Sequence, residues 1–107
     1  MTQTIRLGSW QDSRRLETTT VLDLKEDGTL LGVEVLQASN VFGESTPRTG
    51  NDVVGIRVDR VADALYVRFG EGPSARQEVC DAVFYVDRSN VLVGIELERQ
   101  PKGQGDL

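Results

Sequence analysis

Residues 4–35 align with residues 66–97 without a gap at a constant offset of 62. Seven of these thirty-two positions are identical: Arg6/Arg68, Gly8/Gly70, Arg14/Arg76, Val21/Val83, Leu30/Leu92, Gly32/Gly94 and Glu34/Glu96. Apolar positions keep the same register, as in Ile5/Val67, Leu22/Phe84, Leu24/Val86, Val33/Ile95 and Val35/Leu97. A repeat of this size narrows the possible folds, because a unit of about thirty residues is too small to bury its own apolar face. The chain therefore reads as one domain over 1–107. It holds an incomplete copy at 4–36, a complete copy at 53–98, a linker at 37–52 rich in Ser, Thr, Asn, Gly and Pro, and a frayed tail at 99–107.

Within each copy the pattern is that of strands. Thr18 to Leu24 and Leu30 to Val35 alternate apolar and polar residues, and Glu26-Asp27-Gly28-Thr29 between them is a hairpin signal. A two-residue Asp27-Gly28 loop sets Leu24 opposite Leu31, Leu22 opposite Val33 and Thr20 opposite Val35, so both apolar sets fall on one face. The same register across the offset sets Val86 opposite Val93, Phe84 opposite Ile95 and Ala82 opposite Leu97, with Ser89-Asn90 as the loop. It also sets Asp23 opposite Gly32 and Tyr85 opposite Gly94, where an aromatic ring can cover a strand glycine. Thr4 to Leu7, Val53 to Asp59, Leu65 to Phe69 and Val79 to Val86 complete seven strands, and no segment has helical periodicity.

The expected class is all-β. Antiparallel meanders from the two tandem repeats should pack as a small sandwich or partly closed barrel with pseudo-twofold symmetry. Val53 to Asp59 has no counterpart in the first copy, which is thus one strand short. Val21, Leu30, Val83 and Leu92 fall on the outer face at repeated positions, where a dimer interface would use them.

Around the hairpins the chain resembles the short bacterial domain of unknown function DUF2283. The pattern there is an Asp after a tyrosine or apolar residue, a D-x-L-Y-[IV] strand, a glycine-bearing loop, an apolar strand ending in an acidic turn, and a closing G-[IV]-E-[IV]-L. The second copy carries Val58-Asp59, Asp63-Ala64-Leu65-Tyr66-Val67, Val83 to Asp87, and Gly94-Ile95-Glu96-Leu97. The first copy keeps the later part in Val21 to Gly28 and in Gly32-Val33-Glu34-Val35-Leu36, and replaces the Asp-x-Leu-Tyr strand by Thr4-Ile5-Arg6-Leu7. The resemblance implies a small β-rich fold and brings no activity with it.

Several function classes are excluded by counting. The chain has no histidine and one cysteine, Cys80, so a Ser-His-Asp triad, a Cys-His dyad, a His/Cys zinc site and an internal disulfide are all impossible. The net charge of −5, with bases spread singly along the chain, speaks against a nucleic-acid partner, which needs a cationic surface. No apolar stretch approaches the ~20 residues of a membrane span, and the start has no leader pattern, so a cytoplasmic location without membrane contact is expected. Cys80 suits that compartment as a free, buried thiol.

Among polar residues, Asp59, Asp63 and Glu96 are the candidates for carboxylate chemistry in a small enzyme or ligand-binding protein. Asp63 also fits a purely structural role, its short side chain accepting from free backbone N–H groups at a turn. Gly70-Glu71-Gly72-Pro73 lacks the lysine and following helix of a phosphate cradle. No metal or cofactor is expected. The most specific polar signal is the repeated quartet Arg6, Arg68, Glu34 and Glu96. Reciprocal Arg6–Glu96 and Arg68–Glu34 pairs are expected where the copies, or two chains, meet. The expectation for function is a non-enzymatic β-module that self-associates, as a homodimer, or binds a protein partner. An antitoxin-like or regulatory partner of a basic protein is the alternative, because an acidic surface suits a basic one.

Overall fold

A computed structural model describes residues 1–50 and 54–99 of the chain. Residues 51–53 and 100–107, which include the first residue assigned to the complete copy, the end of the linker and most of the tail, lie outside the described residues.

The fold is all-β. Seven strands, β1 (Thr2–Arg6), β2 (Arg14–Leu24), β3 (Leu30–Leu36), β4 (Gly55–Asp59), β5 (Ala64–Arg68), β6 (Arg76–Val86) and β7 (Leu92–Glu98), form one antiparallel sheet in the order β1-β7-β6-β2-β3-β5-β4. The strands β5, β6 and β7 begin and end 62 residues after β1, β2 and β3. β2 and β6 pair over their full eleven residues, from Arg14↔Val86 to Leu24↔Arg76, with Thr19 opposite Asp81 at the midpoint. β1 pairs with β7, and β5 pairs with β3. The first strand of each sequence unit thus lies against the third strand of the other.

This arrangement corrects the expected sandwich of two stacked sheets. The two halves join edge to edge by backbone hydrogen bonds within one open sheet, and not as two stacked sheets. Joining β2 to β6 gives the backbone groups that the two long strands turn toward each other partners along all eleven residues.

The core occupies one face. Leu22, Leu24, Val33, Val35, Val67, Phe84, Val86, Ile95 and Leu97 are each inaccessible to solvent. Burying a side chain of this kind contributes about 1.5–3 kcal/mol, so this face accounts for most of the stabilisation. A short helix, α1 (Ala38–Phe42), covers part of it, placing Ala38 and Phe42 in the core and the Phe42 ring edge-on to Phe84 at 5.4 Å.

The helix was not expected. Five residues cannot form a stable helix alone, and its support is tertiary. The Ser39 N–H donates to Asp63 Oδ1 at 3.1 Å and the Ser39 hydroxyl to Asp63 Oδ2 at 2.6 Å. Further along the same connection, Asn90 Nδ2 donates to Ser45 Oγ at 2.9 Å and to the Thr46 carbonyl at 3.0 Å, and Arg48 forms a parallel bridge with Val91. The expected linker is therefore a docked segment over its described part.

Both hairpins keep the expected register at Leu22↔Val33, Thr20↔Val35, Phe84↔Ile95 and Ala82↔Leu97. They depart from it at the turn. Lys25 N–H donates to the Thr29 carbonyl at 2.8 Å and Gly28 N–H to the Lys25 carbonyl at 2.9 Å, which makes the loop three residues, Glu26-Asp27-Gly28. The second turn repeats these bonds, Asp87 to Val91 at 2.9 Å and Asn90 to Asp87 at 3.0 Å. Gly28 (φ 89°) and Asn90 (φ 62°) supply the left-handed residue that such a loop needs, and a bulge follows in each hairpin.

Candidate functional site

The face opposite the core carries the polar residues and the glycines of β3 and β7. Gly94 lies beneath the Trp10 indole, which comes from the β1–β2 connection and stacks on Tyr85 at 4.0 Å between centroids and 15° between planes. The Trp10 Nε1–H donates to the Val93 carbonyl at 2.7 Å, and the Arg6 guanidinium lies over the indole at 4.4 Å. Gly32, the other glycine, lies beneath Tyr66 of β5. The Tyr66 hydroxyl donates to Asp23 Oδ2 at 2.9 Å, and Gln77 and Ser74 donate to Asp23 Oδ1 at 2.9 and 3.3 Å. Burial, reinforced by the Asp23 carboxylate, pushes the Tyr66 phenol up to about 12. Tyr85 donates to Glu96, and this bond raises the Tyr85 phenol. The cover expected from Tyr85 on Gly94 is thus supplied by Trp10, with Tyr85 beneath it. A lone tryptophan in a loop gives no pairing signal in sequence.

The quartet Arg6, Arg68, Glu34 and Glu96 is gathered in two places. β1 sets Thr4 opposite Glu96 and Arg6 opposite Gly94, so Arg6 and Glu96 are diagonal neighbours on adjacent strands of one face. β5 repeats this with Tyr66 opposite Glu34 and Arg68 opposite Gly32. Among the described residues no ion pair joins Arg6 to Glu96 or Arg68 to Glu34 within one chain. Arg68 is 3.9 Å from Glu71, and Arg6 lies over Trp10.

The apolar outer-face set needs correction. The bulges place Leu30 opposite Leu24 and Leu92 opposite Val86, on the core side. Leu92 is 1% exposed and belongs to the core, with Leu30 packed against it. Val21 and Val83 do lie on the outer face, both half-buried. The exposed apolar side chains on that face are Val79 (66%) and Leu36 (53%), which sequence reasoning missed. Their alternation in β6 and β3 was the available signal.

Asp59, Asp63 and Glu96 are not brought together. Asp59 lines a hollow of about 390 Å³ beside Tyr66, Asp63 one of about 250 Å³ beside α1, and Glu96 one of about 510 Å³ on the outer face. Asp59 Oδ1 accepts from the Val61 and Ala62 N–H groups at 3.0 and 3.1 Å, as a turn-forming aspartate does. Asp63, in the left-handed region at φ 51°, caps Ser39. The hollow at Glu96 is also lined by Arg15, Glu17, Asp81 and Glu98, an acidic surface with one base. No cluster of three or more His, Cys, Asp or Glu side chains with metal-binding geometry is found among the described residues. Cys80 is 3% exposed, and burial pushes its thiol up.

The remaining feature is an edge. Arg99 N–H donates to the Met1 carbonyl and Leu7 N–H to the Val93 carbonyl, at 2.8 and 3.0 Å. Antiparallel pairing alternates, so odd-numbered residues of β1 bond to β7, while the N–H and C=O groups of Thr2, Thr4 and Arg6 point away from it. β1 is a terminal strand of the sheet. On β5 the corresponding groups, those of Ala64, Tyr66 and Arg68, face Asp59, Arg57 and Gly55 of β4.

No family model, curated protein or solved structure matches the chain. No helix among the described residues is long and apolar enough to cross a membrane.

Proposed function

We propose that this chain is a non-enzymatic β-module whose work is to accept a strand from a protein partner, another copy included, along the outer edge of β1, which no other strand covers among the described residues. The observation that carries the reading is the contrast between β1 and β5. Their outward backbone groups correspond at an offset of 62 residues, yet only β5 has a strand, β4, beside it among the described residues. Strand addition to an open edge is a recurrent mode of recognition, in which backbone bonds give affinity and alternate side chains give selectivity.

The reading takes the chain as a duplicated relative of the DUF2283 domain, with two three-stranded units about an approximate twofold axis between Thr19 and Asp81. Supporting it are the common strand bounds, the strand order that reads the same from either end of β1-β7-β6-β2-β3-β5, and the matching turns at Gly28 and Asn90. A single buried thiol suits a cytoplasmic setting.

A labelled peptide with the sequence from Val54 to Arg60 tests the edge directly. It should bind the wild-type chain and lose at least tenfold in affinity for Thr4→Pro, which removes an outward N–H. Equal binding to both, or to neither where the chain is monomeric, would refute strand addition at β1.

A second reading, a regulatory partner of a basic protein, is favoured by the outer-face hollow with Glu17, Asp81, Glu96 and Glu98 against Arg15. A lysine-rich peptide should then bind with steep salt dependence, and Glu17→Gln with Asp81→Asn should weaken it.

A further inference from the structure

We infer that the strand accepted by β1 is β1 of a second copy of this chain, paired antiparallel with Ile5 opposite Ile5 at a twofold axis. The inference rests on the edge reading above and names its occupant.

Three observations select this partner and this register. The first is sequence. β4 runs Gly55-Ile56-Arg57-Val58-Asp59 beside β5, and β1 continues as Thr4-Ile5-Arg6-Leu7-Gly8. Ile-Arg followed by a branched apolar residue occurs in both. A second copy's β1 set beside β1 in the register that β4 uses beside β5 places its Ile5 where Ile56 stands and its Arg6 where Arg57 stands.

The second is the apolar row on the core face. Across β3, β5 and β4, Val33, Val67 and Ile56 stand side by side. On the other half Ile95 and Ile5 stand side by side, and Ile5 is only partly buried. Ile5 of the second copy completes that row as Ile56 does, and the twofold axis makes the completion mutual. The parity also agrees: Ile5 bonds to β7, so Ile5 against Ile5 is a non-hydrogen-bonded pair, flanked on both sides by Thr4 and Arg6 pairs that exchange backbone bonds.

The third is charge. In this register Arg6 of the second copy stands opposite Thr4, and Glu96 stands on the far side of Thr4. Two strand spacings, ~10 Å, separate the Cα atoms, a span that an arginine and a glutamate close over a small threonine. The same relation exists within the chain, where Arg57 and Glu34 flank Tyr66 and line one hollow. The Arg6–Glu96 pairing expected from the sequence repeat is then formed between chains, twice per dimer.

Mass measured by light scattering during size-exclusion chromatography tests the inference, together with oxidation by glutathione disulfide of variants carrying one introduced cysteine in a Cys80→Ala background. The wild-type chain should have twice the monomer mass, and Thr4→Pro, with unchanged far-ultraviolet circular dichroism, the monomer mass. Ile5→Cys should crosslink to a covalent dimer, because Cα atoms about 4.5 Å apart lie within disulfide range. Gln3→Cys, which faces Leu7 of the second copy, should not. If Thr4→Pro fails to fold, the two cysteine variants decide the register without a backbone change. A monomeric wild-type chain that still binds the Val54–Arg60 peptide overturns the second copy as occupant and leaves the edge reading standing; one that binds no peptide overturns both. A dimer that survives Thr4→Pro without crosslinking at Ile5→Cys, or a mass that climbs past the dimer with concentration, assigns association to another surface and overturns the inference.

Discussion

Trp10 rests on Gly94, so that a methyl group added at the glycine would coincide with the Nε1, Cε2 and Cζ2 atoms of the indole. The contact fixes more than one ring. Tyr85 stacks on the indole, Arg6 lies over the ring, and the Val93 carbonyl accepts its N–H. Gly94→Ala should therefore expel Trp10 from the sheet, destabilising the protein by about 1–3 kcal/mol, as overpacking does. Tryptophan emission reports it, since Trp10 is the single tryptophan. The expected result is a red shift, and an unchanged spectrum with unchanged stability would show that the ring does not rest there.

Tyr66 makes stability depend on pH at the alkaline end. Below the ordinary tyrosine value of about 10, the folded and unfolded chains both hold the phenolic proton. With the folded value pushed up to about 12, only the folded chain holds it in the window between. Unfolding there releases a proton, so stability is intact below about 10 and falls as the pH rises toward 12. Denaturant melts of wild type and Tyr66→Phe across this range should converge as pH rises, the variant losing about 0.5–1.5 kcal/mol at neutral pH with the Asp23 hydrogen bond. Parallel pH profiles would place the effect elsewhere.

The hairpin registers could be read from residues alone, because a one-residue slip would turn Leu22, Val33, Phe84 and Ile95 out of the core. The turns could not be read so far. Asp27-Gly28 signals a tight turn, but whether two or three residues form the loop depends on backbone bonds at Lys25 and Thr29, and that choice moves Leu30 and Leu92 to the core side. The exchange of β1 and β5 between halves was also hidden. Arg6 and Arg68 repeat in the sequence, yet repetition does not say which third strand each first strand joins. The helix Ala38–Phe42 has no periodicity to detect, since Asp63 and the core hold it in place.

Phe84 is the largest side chain wholly inside the core and meets Phe42 edge-on. Phe84→Ala should cost about 3–5 kcal/mol, the usual range for opening a cavity of this size. Phe42→Ala should cost less if α1 can settle onto the sheet, and thermal melts of both variants give the order. A larger loss for Phe42→Ala would mean that the helix, and not the sheet, organises the core.

Cys80 is buried, its thiol raised by desolvation and its sulfur 3.2 Å from the Glu98 carbonyl. Alkylation by a thiol reagent at pH 8 should be slow in native buffer and should accelerate with denaturant in step with unfolding. Rapid modification of the folded chain would contradict the burial of Cys80 in the core.

The correspondence between the edges of β1 and β5 is tested most directly by residue-resolved amide hydrogen exchange at several protein concentrations. Thr4 and Arg6 carry the outward N–H groups of β1, as Tyr66 and Arg68 do on β5. Slow exchange is predicted at all four in concentrated solution, with dilution releasing Thr4 and Arg6 while Tyr66 and Arg68, held by β4 of the same chain, stay slow. Exchange of Thr4 and Arg6 at the rate of an open chain at every concentration would contradict the account.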